Sequence, residues 1–136
     1  MSSASRVVAA ILLLSLLTVD VGGGSMLGLL TRRVPGYLDN PLRQNLFRAG
    51  HAHAGVWIVL ALVGMTYVDQ AQLPDGLRVV IRVALLAAPV LAALGFFLSV
   101  VPPKAARPNG FIGLVYVGGL SLAVGVVTLG VGLLRA

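Results

Sequence analysis

The chain has 136 residues, of which 58% are hydrophobic and 10% charged, with a net charge of +6. A water-soluble domain carries about 25% charged residues to face solvent, so a soluble globular protein is excluded. The apolar residues fall in long blocks and the mean hydropathy is +1.00, which identifies an integral membrane protein of all-α class.

At roughly 20 residues per crossing, the length accommodates four spans with short loops and leaves no room for a soluble catalytic domain. Any chemistry must come from the helices or their ends. The absence of cysteine excludes disulfides and thiolate ligands. The basic residues are few and flank the apolar blocks, which fits membrane anchoring and argues against a nucleic-acid partner.

The first span covers residues 7–30 and is closed by Arg32 and Arg33. Arg6 and the apolar run after it also resemble a signal peptide. No Ala-x-Ala site follows and the apolar character resumes at Met26, so a retained span is expected. Asp20 falls near the middle of this span, where an unpartnered carboxylate is expensive. Its neighbours Gly22, Gly23, Gly24 and Ser25 point to a helix that loosens or packs closely there. Three roles are open to Asp20: a proton relay, a hydrogen bond to a histidine of the second span, or a polar contact between subunits.

The second span covers residues 49–68. Asp39 or Asn40 can cap its helix and Pro41 suits a first turn, so the helix is expected to begin near Pro41, lie partly in the interface and enter the membrane near Gly50. His51 and His53 stand in its first turns among Ala49, Gly50, Ala52, Ala54 and Gly55. Residues two apart lie about 200° apart round a helix, so the two imidazoles cannot share one metal ion or clamp both faces of one haem. Zinc is excluded within one chain, since no third histidine or cysteine completes a set. A haem iron needs only one protein imidazole, and His51 and His53 are the candidate metal ligands. Arg48 and Arg43 lie where haem propionates would emerge, and are equally ordinary headgroup anchors.

The third span, residues 77–101, stops at Pro102-Pro103. Arg78 and Arg82 share a face and are expected to pair with Asp75 or Asp69. Pro89 should kink the helix or free a carbonyl for a partner. The fourth span covers residues 111–134. Asn109 and Tyr116, seven apart, share a face at about the depth of the histidines, where a phenol and an amide could orient an oxygen-containing ligand. Their plainer roles are a helix cap after Pro108 and a belt tyrosine. Gly113, Gly118, Gly119, Gly125, Gly130 and Gly132 make this helix smooth enough for close contacts.

Six basic residues (Arg32, Arg33, Arg43, Arg48, Lys104, Arg107) lie on one side and four (Arg6, Arg78, Arg82, Arg135) on the other. The positive-inside rule then puts both termini on the outer side, in a multi-pass protein of the cell inner membrane.

The four-span layout and Ala49-Gly50-His51 resemble the styrene oxide isomerase family. The resemblance implies haem b, a redox-neutral isomerisation of an epoxide to an aldehyde, assembly as a trimer, and His51 as axial ligand. That family also has a tyrosine and an asparagine near the haem; Tyr116 and Asn109 offer the residue types, although their local motifs do not match. The His51-x-His53-x-Gly55 pattern is similar to short stretches of haem-copper oxidase core subunits, whose twelve or more spans exclude membership.

The expected function is therefore a haem-b-binding membrane four-helix bundle acting on an apolar epoxide that arrives from the lipid bilayer. His51, His53, Arg48 and Arg43 would hold the cofactor, with Tyr116, Asn109 and Asp20 as catalytic candidates. The alternative is a non-enzymatic membrane subunit or assembly protein whose polar residues join helices. A third reading, transport using Asp20 and a histidine, has no internal repeat to support it. Homo-oligomerisation is expected in either of the first two cases, because so small a bundle has little interior of its own.

Overall fold

Four apolar blocks, each bounded by a capping or turn residue, become four helices. The computed structural model describes all 136 residues and contains α1 (Ser3–Thr31), α2 (Pro41–Tyr67), α3 (Asp75–Leu98) and α4 (Gly113–Leu133), the last preceded by a 3₁₀ turn at Gly110–Ile112. It contains no strand. All four helices are long and apolar enough to cross a membrane.

The helix starts follow local chemistry. The Ser2 hydroxyl accepts from the Ser5 N–H at 3.2 Å. Asn40 accepts from the Arg43 N–H at 3.1 Å with Pro41 in the first position, where the missing N–H of proline costs nothing. The expected start of α2 is thus observed, and the helix runs unbroken from Pro41 to Tyr67. α1 also stays continuous through its triple glycine. At its end Arg33 adopts a left-handed φ of 51°, and the Val34 N–H reaches back to the Leu29 carbonyl at 3.1 Å.

α3 ends at Leu98, earlier than the apolar run, because the chain folds back on itself. Asn109 donates through its backbone to the Ser99 carbonyl at 2.9 Å and through its side chain to the Leu98 carbonyl at 3.0 Å. These bonds occupy carbonyls that a helix end leaves unpaired.

α1 packs on α2, α2 on α3, and α3 on α4, while α1 and α4 make no contact with each other. α3 is the most enclosed, burying Ile81, Ala84, Leu85, Ala88, Pro89 and Ala92. α4 reaches it through glycines. A methyl on Gly118 would stand 2.9 Å from both the Ala88 carbonyl oxygen and the Ala92 nitrogen, so two backbones meet there. Gly125 lies against Leu85 and Gly132 against Leu73, which makes a seven-residue repeat along one face. Gly113, Gly119 and Gly130 face open space; only half of the expected smooth surface is used within the chain. Pro89 is buried without ending the helix. Near the carbonyl it cannot serve, the Ser121 hydroxyl donates to the Ala84 carbonyl at 2.9 Å.

Both ends of the bundle are tied. At the end carrying the termini, Asp69 accepts from the Ser2 N–H at 2.6 Å and from Arg82 at 2.8 Å. At the other end, the Asn40 amide donates to the Pro103 and Ala105 carbonyls at 3.0 and 2.9 Å. Gly36, at φ 78°, lies so close to Pro103 that a side chain there would collide with its ring.

Candidate functional site

The two histidines leave α2 in different directions, as their spacing requires. His51 turns toward α1. A methyl on Gly23 would stand 3.0 Å from its Cε1 and 3.3 Å from its Nε2, and one on Gly22 would stand 3.8 Å from its Nδ1. The paired glycines of α1 thus form a shallow seat for the imidazole. The Cε1–Nε2 edge of His51 faces Gly23, the ring is half-buried, and neither ring nitrogen is held by a hydrogen bond.

His53 turns toward α3. Its ring lies 5.0 Å from Phe96 and 5.3 Å, edge to face, from Trp57. Its Nδ1 is 2.8 Å from the Ala49 carbonyl oxygen. A carbonyl can only accept, so Nδ1 carries the proton and the neutral ring keeps its lone pair on Nε2. A histidine whose other nitrogen donates to a carbonyl is oriented and made more basic for ligation. His53 therefore has the donor chemistry of an axial ligand; His51, toward which the family resemblance pointed, is pressed against α1. Trp57, one helical turn on, forms one wall of the His53 site.

Arg43 is engaged within the protein. It donates to the Val100 carbonyl at 3.1 Å and the Gly36 carbonyl at 3.2 Å, and its guanidinium lies 4.9 Å from the centre of the Phe47 ring. It fastens the two loops of that end. Arg48 is exposed and stands roughly 140° round the helix from His53.

The remaining candidates are not gathered at the histidines. Asn109 caps the 3₁₀ turn, accepting from the Phe111 N–H at 2.9 Å while its amide holds Leu98, which is the plainer of its two expected roles. Tyr116 is 76% exposed on α4, a helix without contact to the α1 surface on which His51 rests. Asp20 is exposed on α1 and is bonded to neither histidine. No group of three or more His, Cys, Asp or Glu side chains is placed to hold a metal ion. A cleft of about 290 Å³ among α1, α2 and α3, with Leu12, Val19, Ala54 and Ile58 in its lining, has no histidine in its wall.

Arg82 and Arg78 pair as expected, with Asp69 at 2.8 Å and Asp75 at 3.1 Å. The Asp69 site is larger than a salt bridge. The fully buried Ser5 hydroxyl donates to Asp69 at 3.2 Å and receives Arg82 Nε at 2.9 Å. Burial pushes the Asp69 carboxyl up, but hydrogen bonds from the Ser2 backbone and side chain, Arg82 and Ser5 outweigh it and bring it down to about 2. Sequence reading missed the part played by Ser2 and Ser5. Their only local signal was a serine pair before a helix, and the partners lie more than 60 residues away.

Comparison with protein-family models, curated proteins and solved structures finds no match to this chain.

Proposed function

We propose that the chain is a haem-b-binding, multi-pass protein of the cell inner membrane, with His53 as the single axial ligand. One observation carries this reading: His53 Nδ1 is held by the Ala49 carbonyl at 2.8 Å, which leaves Nε2 as the free donor in the neutral ring. Phe96 and Trp57 flank the imidazole and keep water from competing for it. The count of six basic residues against four supports both termini on the outer side.

A bound haem would supply an electrophilic iron toward the oxygen of an apolar epoxide, the redox-neutral isomerisation to a carbonyl compound that the family resemblance implies. This chain's own contribution is to orient the imidazole and to surround it with apolar helix faces open to the bilayer. The test is the haem content of protein purified from haem-replete membranes, followed by conversion of an aryl epoxide. Near-stoichiometric haem with aldehyde formation is the expected result. Haem without turnover retains the binding site and removes the isomerase.

The Asp69–Arg82 tie and the Ser121–Ala84 hydrogen bond favour a second reading. In it the polar side chains serve only to join helices, and the chain is a non-enzymatic membrane subunit. That reading predicts a colourless preparation.

A further inference from the structure

Asp20 and Tyr116, in the apolar part of the bundle, have no polar partner within the chain. Asp20 is the one carboxyl group on the four helices that lies away from a helix end. It stands on the exposed face of α1 and takes part in neither of the two ion pairs. Its neighbours Ser15, Thr18 and Ser25 donate instead to carbonyls of their own helix. Tyr116 is 76% exposed on α4, and its hydroxyl is likewise unbonded.

The two stand at the same depth. Val19 packs on Gly55, and Gly22 and Gly23 pack on His51, so Asp20 is level with residues 51–55 of α2. Val115 packs on Gly95, and Gly118 packs between Ala88 and Ala92, so Tyr116 is level with residues 92–95 of α3. Those two levels coincide, because Phe96 of α3 lies against both Gly50 and His53 of α2. One is a hydrogen-bond acceptor, the other a donor. They occupy the first and last helices, which do not touch each other.

We propose that a second copy of this chain docks here, with the Tyr116 hydroxyl of one copy donating to the Asp20 carboxyl of the other. Copies inserted with the same orientation keep the two groups level, so a contact between the Tyr116 face of α4 in one copy and the Asp20 face of α1 in the next pairs them. By this register Asp20 lies about one turn inside the membrane entry of α2 near Gly50, where lipid tails offer no donor and an unpartnered carboxyl is costly. Beyond Asp20, at helical spacing, lie Gly24 and Gly28, both with open space beside them. They let a neighbouring helix approach closely. The proposal does not rest on haem binding.

The chain has no cysteine, so introduced cysteines report single positions. Two differently tagged copies, one Leu17→Cys and one Leu120→Cys, exposed positions about one turn from Asp20 and Tyr116 toward the same end of the bundle, are co-expressed and treated in native membranes with a short bis-maleimide. A mixed-tag product of the two chains is expected, at least tenfold above a control pairing Leu17→Cys with Val131→Cys at the far end of α4. A yield no better than the control, or a product containing a different protein, overturns the proposal. Association of labelled copies in lipid vesicles supplies a second readout. Tyr116→Phe and Asp20→Ala are each expected to weaken it roughly threefold to tenfold, and the double variant no further than either alone. No loss in either variant, or fully additive losses, would also overturn it.

Discussion

At the scale of single residues, the sharpest claim concerns Asp69. Its carboxyl lies at about 2 in the folded chain, against an ordinary 3.8. A depressed folded pKa means that the stabilisation is fully present above pH 4 and is lost as pH falls through 2. The difference corresponds to at most about 2 kcal/mol. Protection of the Ser5 and Arg6 amides, measured in detergent micelles relative to the intrinsic exchange rate at each pH, should therefore hold at pH 4 and fall only near pH 2. Asp69→Asn should show the lowered protection already at neutral pH, because it removes the charge that holds Ser2, Ser5 and Arg82 together. Loosening of the wild-type chain with a midpoint near 4 would contradict the tie. By contrast, Asp75 is 94% exposed beside Arg78, and such surface pairs contribute about 0–1 kcal/mol.

At the scale of elements, the α3–α4 contact separates glycines that look alike in the sequence. Gly118→Ala puts a methyl 2.9 Å from backbone atoms of α3, which cannot move aside as a side chain would; overpacking of this kind costs about 1–3 kcal/mol. Gly119→Ala meets nothing within 4 Å and should stabilise the helix by about 0.5–1 kcal/mol. Unfolding of the two variants in mixed micelles should move in opposite directions, and equal effects would contradict the packing. The same contrast explains what could be read from the chain alone. The four long apolar helices, the Asn40–Pro41 cap and the arginine–aspartate pairs were legible because each rests on neighbours close in sequence or on a composition rule. Which of the six glycines faces α3 was not, because it depends on the rotation of α4 about its axis. The direction of His51 was not legible either, because its imidazole is seated on Gly22 and Gly23, from a helix about 30 residues earlier.

For the whole molecule, the order of packing decides the function that remains open. α1 and α4 do not touch, so the histidines, Asp20 and Tyr116 do not form one enclosed site in a single copy. The opposed directions of His51 and His53 followed from helical spacing; that His53 would have its Nδ1 fixed by a carbonyl and that His51 would face the glycines of α1 required the folded neighbours. The central claim is that His53 ligates haem, and the most direct test is the absorption spectrum of the protein from haem-replete membranes. The account predicts a Soret band that survives His51→Ala, is lost in His53→Gly, and returns when imidazole is added to the His53→Gly protein. A colourless wild-type protein at full haem supply, or a Soret band lost on changing His51 and unchanged in His53→Gly, would contradict it.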